Sequence, residues 1–249
     1  MYQGHRIGAI LLMGGEGVRC SSPIPKQFHL LADKKVYQYA LETFVQTGFF
    51  DEIILVCLRH WKEQIEREAG GLVLVIEGGK NRQESSHAGL KAFTRPPKIV
   101  VIHDAVRPFV SQKIIQENIE QALIHGAVDT CIPCTDTLIV SADHHEITTI
   151  PNRADYMRGQ TPQTFLYDWI LNAHERAQCQ GFFNATDDCR LVLLTGKSIK
   201  IVHGNETNFK ITSEFDLKIA KAFLLAFDPT DTRKPRPLGR GLHAFFCFP

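Results

Sequence analysis

Short apolar, β-branched runs at 7–13, 53–58, 72–76, 99–103 and 199–202 recur along the chain, separated by stretches whose apolar residues return at helical spacing. Unbroken apolar runs of this length suit strands buried on both faces. The alternation therefore predicts an α/β fold, a Rossmann-like, mostly parallel sheet with helices on both faces. Two helices have readable ends. Val36, Tyr39, Ala40, Leu41 and Phe44 form an apolar stripe that stops at Gly48; Ile114, Ile115, Ile119, Ala122 and Leu123 form another, started at Ser111 and stopped at Gly126. Between 135 and 160 the alternation lapses. Short β-like pieces at 137–140 and 147–150 flank the polar turn Ala142-Asp143-His144-His145, which predicts a hairpin arm, residues 133–159, inserted in the body. Helical spacing over 213–227 closes a single domain of residues 1–227. The remainder, 228–249, carries Arg233-Lys234-Pro235-Arg236-Pro237 and is expected to be a flexible tail.

Charge narrows the class of partner. With 28 basic and 27 acidic residues in 249 and a net charge of +1, no bulk field exists for nucleic acid or an anionic membrane surface. Anion binding must rest on a few placed charges. The first residues carry no long apolar region with a cleavage site, and the run at 7–13 is too short to span a bilayer, so a cytoplasmic location is expected. Seven scattered cysteines, an odd number, read as reduced thiols. Cys131 and Cys134 have the spacing of a zinc half-site or redox pair, but no second pair accompanies them, and strand thiols are the expectation. Eleven histidines contain no His-Glu-x-x-His, and no protein-built metal site is expected.

In an open α/β sheet, ligands bind beyond the carboxyl ends of the strands. The first strand runs into Met13-Gly14-Gly15-Glu16-Gly17-Val18-Arg19 and then Pro25-Lys26-Gln27. Glycines there let backbone N–H groups approach phosphate oxygens, with Arg19 and Lys26 adding charge. The spacing does not fit a P-loop, which needs a closing Gly-Lys-Ser/Thr, nor a dinucleotide fingerprint, which needs a third glycine and a ribose-holding acid. Further strand-end clusters are Gly78-Gly79 with Arg82 and Ser85, His103-Asp104-Ala105 with Arg107, Gly159-Gln160-Thr161-Pro162-Gln163, and the turn holding Asn208 and Lys210-Ile211-Thr212. Each has a plainer alternative: an Asp104–Arg107 salt bridge capping a helix, ordinary turns at Gly78-Gly79 and Thr161-Pro162, a solvated Lys210. Their convergence on one sheet edge favours a site. Attack of one phosphate on another gathers negative oxygens, so the transition state calls for fixed cations, for which Arg19, Lys26 and Lys210 are suited, and for Mg²⁺ held mainly by the phosphates. A phosphate dianion needs no general base.

Taken together, Gly14-Gly15-x-Gly17-x-Arg19, Pro25-Lys26-Gln27-Phe28, Gly78-Gly79-x-x-Arg82, His103-Asp104-Ala105-x-Arg107-Pro108, Asp136-Thr137, Arg153, Gln160-Thr161-Pro162-Gln163 and Lys210-Ile211-Thr212 resemble the cytidylyltransferases that form CDP-activated polyols. The resemblance spans residues 7–225. It implies transfer of CMP from CTP to a polyol phosphate, in a homodimer joined through the arm, with Mg²⁺ accompanying CTP and neither nucleic acid nor membrane as partner. By the resemblance, Met13, Gly14, Gly15 and Gly17 wrap the triphosphate and the cytosine edge, while Gly79 and Ser85 hold the base. Arg19, Lys26 and Lys210 brace the reacting phosphates. Asp104 and Ala105 meet ribose or polyol hydroxyls, and Arg107, Thr137, Thr161 and Arg153 line the polyol-phosphate pocket, with Arg153 supplied by the second subunit. Met13-Gly14 replaces the usual Ala-Ala, Cys20 a common methionine, and Lys80 an acid of some members. Ribitol 5-phosphate is the favoured acceptor and methylerythritol 4-phosphate the alternative. A nicotinamide oxidoreductase and a non-catalytic nucleotide sensor remain as readings from other classes, separable by NADH binding and by pyrophosphate release.

Overall fold

The computed structural model describes residues 1–14 and 24–226. Gly15, Gly17 and Arg19 of the glycine loop, Cys20, and the expected tail at 228–249 lie outside the described residues. The strands are β1 (Ile7–Leu12), β2 (Leu30–Leu31), β3 (Lys34–Lys35), β4 (Glu52–Cys57), β5 (Leu74–Glu77), β6 (Ile99–Asp104), β7 (Ala127–Pro133), β8 (Met157–Leu166) and β9 (Lys200–His203). The α-helices are α1 (Val36–Thr47), α2 (Lys62–Ala69), α3 (Arg82–Lys91), α4 (Gln112–His125), α5 (Tyr167–Cys179), α6 (Asp188–Leu194) and α7 (Glu214–Ala226). Among the described residues no helix is long and apolar enough to cross a membrane.

The main sheet has the order β5-β4-β1-β6-β8-β7-β9; β8 alone runs antiparallel to its neighbours, and β2 and β3 form a separate small ribbon. Alternation along β1 assigns its side chains to two cores. Ile7, Ala9 and Leu11 meet α1, α2 and α4 through Tyr37, Phe44, Ile65 and Ile115, whereas Ile10 and Leu12 meet α3, α5 and α6 through Leu90, Ile170 and Val192. Both helix ends expected from glycine are present: Gly48 and Gly126 take the left-handed conformation that side chains avoid, and Ser111 Oγ accepts the Ile114 N–H at the start of α4. A third cluster, Leu31, Val36, Ile211 and Ala220 with Phe109 and Phe209, fastens α7 over the start of α1.

Two expectations change. Gly159-Gln160-Thr161-Pro162-Gln163 does not lie beyond a strand end, nor is Thr161-Pro162 a turn; the segment lies inside the ten-residue strand β8. Proline has no ladder donor, and the chain absorbs it at an irregularity: Asp129 pairs with Gln163 and Cys131 with Gly159, so Thr130 alone opposes residues 160–162. The β pieces at 137–140 and 147–150 are not strands. The outer arm is a loop carrying one bridge, Val140 to Thr149, around a turn in which Asp143 Oδ1 accepts the N–H groups of His145 and Glu146. Cys131 is a buried strand thiol, whereas Cys134, just past the strand end, is partly exposed.

Candidate active site at the carboxyl edge of the sheet

β1, β4, β5 and β6 end on one edge, and antiparallel β8 brings its first half to the same place: Ile102 pairs with Gln163, which sets Thr161 beside the end of β6. There the Asp104 N–H donates to Thr161 Oγ1 at 3.1 Å, and Thr161 Oγ1 lies 2.9 Å from His103 Nδ1. His103 Nε2 lies 3.2 Å from the Arg107 carbonyl. Burial pushes the His103 ring down to about 4, so it is neutral at working pH. A neutral ring accepts at Nδ1 from the Thr161 hydroxyl and donates from Nε2 to Arg107, which closes a chain of bonds fixing the backbone on both sides of Asp104.

Asp104 carries the charge at this edge. Its Oδ2 receives Lys210 Nζ at 2.8 Å and its Oδ1 receives Arg82 Nε at 3.4 Å. Burial opposes ionisation, but the Lys210, Arg82 and Arg107 charges overcome it and hold the carboxyl far below the usual range. The capping salt bridge between Asp104 and Arg107 is not formed; their hydrogen bond is backbone to backbone, 2.9 Å. Arg107 turns away, giving Nη1 to the Asn208 carbonyl at 2.9 Å and Nη2 to the Gly159 carbonyl at 3.4 Å. Its buried Nε has no hydrogen-bond partner among the described residues, and burial draws the guanidinium below its ordinary value despite Asp104 and Asp129 nearby. Asn208 in turn donates Nδ2 to the Thr161 carbonyl and to Gln160 Oε1. This pins the turn after β9. Buried Ile211 and its packed neighbour Phe209 then leave Lys210 pointing at Asp104.

The other wall is built from α3 and the ends of β1 and β5. Ser85 Oγ donates to the Asn81 carbonyl at 2.8 Å and accepts the Gly79 N–H at 3.2 Å. A Cβ on Gly14 would lie 3.3 Å from the same Oγ and one on Gly78 2.7 Å from it. Gly79 has still less room: a Cβ there would collide with the Glu84 Cβ and lie 3.1 Å from the Glu84 backbone carbon. Gly14, Gly79 and Ser85 therefore form one close-packed surface. Met13 and Ala105 are buried beside it, the Ala105 N–H donating to the Leu12 carbonyl at 3.0 Å. Gln27 Nε2 donates to the Met13 carbonyl at 2.7 Å, and Phe28 stacks on Trp61 at 4.2 Å, so the short 3₁₀ turn carrying half-buried Lys26 is tied to the end of β1.

One chain thus brings together Met13, Gly14, Gly79, Ser85, Asp104, Ala105, Arg107, Thr161 and Lys210. Thr137 and Arg153 are exposed on the arm, where Arg153 Nη1 donates to the Thr135 carbonyl at 2.8 Å. The structure adds residues that had no role in the sequence reading. Arg82 Nη1 reaches Asp188 Oδ2 at 2.6 Å, and Asp188 Oδ1 lies 3.0 Å from His174 Nε2. Gln163 Nε2 donates to both Asp129, at 3.0 Å, and Asp187, at 2.6 Å. Of these, Arg82 and Gln163 stood in motifs that could have signalled them; Asp129, His174, Asp187 and Asp188 did not. Among the described residues no group of three or more His, Cys, Asp or Glu is gathered for a metal ion. A groove of about 710 Å³ between α4 and β9, lined by Lys113, Glu117, Lys200 and His203 among others, contains none of these site residues.

The edge therefore offers a glycine-lined wall, fixed cations and a carboxylate held ionised, an arrangement for positioning phosphates. A family model for IspD, 2-C-methyl-D-erythritol 4-phosphate cytidylyltransferase, matches residues 7–226. A ribitol-5-phosphate cytidylyltransferase of Lactiplantibacillus plantarum is 36% identical over 232 residues, 88% of this chain and 98% of the relative. The 4-diphosphocytidyl-2C-methyl-D-erythritol synthase of Anaerococcus prevotii superposes with a TM-score of 0.79 at 29% identity, covering 90% of this chain and 100% of that one. The 2-C-methyl-D-erythritol 4-phosphate cytidylyltransferase of Thermus thermophilus gives 0.73 at 28% identity, covering 87% and 98%.

Proposed function

The chain belongs to the 2-C-methyl-D-erythritol 4-phosphate cytidylyltransferase, or IspD, family of nucleotidyltransferases, and we propose that it transfers CMP from CTP to D-ribitol 5-phosphate, giving CDP-ribitol and pyrophosphate. The observation that carries the acceptor is the 36% identity to the ribitol enzyme along 88% of the chain, against 29% for the Anaerococcus synthase. A second reading, methylerythritol 4-phosphate, is favoured by the description of the family model itself.

In the reaction an acceptor phosphate oxygen attacks the α-phosphorus of CTP, and the bond to the departing pyrophosphate breaks. Lys26 and Lys210, with Arg19, meet the charge that grows on the phosphates. Gly14, Gly79 and Ser85 present close-packed backbone to the nucleotide, and Arg107 serves the acceptor phosphate, with Thr161 fixing the backbone beside it. Mg²⁺ fits as an ion held by the triphosphate oxygens, where it neutralises charge, because the Asp104 carboxylate is already taken by Lys210 and Arg82. The enzyme acts as a homodimer in the cytoplasm. Support for the dimer comes from the arm, where Ile139, Val140, Ile147 and Ile150 are each about half exposed or more, an apolar surface that a second copy would cover. Arg153 then serves the partner's site. The segment after residue 227 is dispensable for the core reaction.

Pyrophosphate release from CTP, with each acceptor separately at saturating CTP and Mg²⁺, tests the reading. A higher kcat/KM for ribitol 5-phosphate is expected. Preference for methylerythritol 4-phosphate selects the second reading, and CTP binding without pyrophosphate release with either acceptor overturns catalysis.

A further inference from the structure

Behind Asp104 runs a line of charge that the transfer reaction does not itself require. Lys210, Asp104, Arg82, Asp188 and His174 follow one another at 2.8, 3.4, 2.6 and 3.0 Å. Asp188 and His174 are each only 1% exposed, whereas Arg82 keeps 22% of its side chain accessible. Asp188 opens α6, its N–H held by Gln163 Oε1 at 3.3 Å, and His174 comes from α5, where its ring stacks on His87 of α3. Burial disfavours the Asp188 charge, but the Arg82 charge and the His174 hydrogen bond hold its carboxyl well below the usual range. Two buried carboxylates are thus balanced by two cations that keep part of their side chains at the surface.

The distances within this line are unequal. Arg82 leans on Asp188 and only loosely on Asp104, while Lys210 takes Asp104 closely. A lysine that is to meet substrate phosphate must leave Asp104, and a buried carboxylate abandoned by its cation is costly. A guanidinium has donors enough to serve two carboxylates at once. We propose that Asp188 is a positioning residue that holds Arg82 as the standby counter-ion of Asp104, so that Lys210 can transfer from Asp104 to the reacting phosphates. The proposal rests on the cytidylyltransferase reading for its last step alone; the exchange of partners at Asp104 is a property of the substrate-free protein.

The two ends of the Arg82–Asp188 pair have opposite effects. Neutralising Asp188 frees Arg82 to close on Asp104 and displaces Lys210. Neutralising Arg82 leaves Lys210 as the main partner of Asp104 and ties it down. The test is the rate at which a limiting amine reagent labels Lys210 in the substrate-free protein, read by peptide mass spectrometry. Relative to wild type, Asp188→Asn should speed labelling and Arg82→Gln should slow it, each by about threefold or more, and Asp188→Asn should have no effect in the Arg82→Gln background. Asp188→Glu, which keeps the charge, should restore the wild-type rate. Changes of the same sign, no change, or an Asp188→Asn effect that persists without Arg82 overturn the proposal. Should Asp188→Asn or Arg82→Gln fail to fold, Arg82→Lys still decides, because it leaves a cation beside buried Asp188 without a fork that serves two carboxylates, and unslowed labelling of Lys210 in it contradicts the exchange. Arg82→Gln should also lower kcat about tenfold or more with the CTP KM changed far less. Loss of all pyrophosphate release in the wild type would strike the functional reading and leave the labelling result intact.

Discussion

The sheet edge and the arm are built on opposite terms. At the edge, Asp104, His103, Thr161 and Asn208 are nearly or wholly buried, and their bonds join strands and turns far apart in sequence. On the arm, the bonds stay within the arm itself: Asp143 to His145 and Glu146, Thr148 to Val140, Arg153 to Thr135. The edge is thus fixed by its own chain before substrate arrives, as electrostatic catalysis demands. The arm has no core of its own, and its exposed apolar residues ask for cover from outside. Internal fixing and exposed apolar surface are thus separated into two parts of the chain, so each can be broken alone.

The largest effect is expected at the edge. Lys210→Ala and Lys26→Ala should each lower kcat about a hundredfold or more while raising the CTP KM far less, because charge on the phosphates grows toward the transition state. Steady-state pyrophosphate release measures both constants. Near wild-type turnover in either variant removes that lysine from the reaction.

The arm is tested by complementation. Arg153→Ala and Lys26→Ala, each inactive alone, should together recover about a quarter of wild-type activity at equal mixing, since half of the dimers are then mixed and each has one intact site. Subunit exchange is followed by native mass spectrometry. No recovery after complete exchange places Arg153 outside the partner's site.

A smaller effect is expected where the wall is tight. Gly79→Ala must push its new methyl against Glu84, whose carboxylate accepts the Lys80 N–H and so holds the loop shape. Overpacking of this kind costs about 1–3 kcal/mol, and it should appear as a lower melting temperature together with a raised CTP KM. An unchanged KM would place the nucleotide elsewhere.

How much of this was legible follows the same division. Strands with continuous apolar runs and helices with Ser111, Gly48 and Gly126 at their ends were readable because their signals are local. β8 was not, because Gly159 and Pro162 interrupt any strand pattern until the opposing Thr130 is seen to absorb the irregularity. At the site, motif spacing marked Asp104, Arg107 and Lys210 but not what they bind. The Arg82–Asp188 and Lys210–Asp104 pairs each bridge 106 positions, and no periodicity reports a contact of that separation. Asp188 therefore entered no motif in the sequence.

The smallest expected effect concerns Asp129, which lies behind Arg107 and joins the edge to the base of the arm. Its Oδ1 accepts from Gln163 and its Oδ2 from the Cys131 thiol, while Asp187 competes for the same Gln163 amide. Burial, with Asp187 adding to it and the Gln163 hydrogen bond opposing, pushes its carboxyl up from 3.8 to about 6. Between those values the folded protein holds a proton that the unfolded chain has lost. Stability from this group is thus full below pH about 4, falls as pH rises through about 6, and is a standing cost at neutral pH. An asparagine in its place would keep an acceptor for Gln163 without the charge. Asp129→Asn should therefore raise stability at pH 7.5 by about 1 kcal/mol, less than the shift alone implies because Arg107 loses a nearby carboxylate. The gain should vanish toward pH 4. His103 and His87, both pushed down to about 4, destabilise the fold as pH falls, but they do so equally in both proteins and cancel from the difference. Denaturant unfolding of the two proteins across this range reads the difference directly. A gap that stays constant with pH would mean that Asp129 does not titrate there, and that the base of the arm is as fully compensated in charge as the edge.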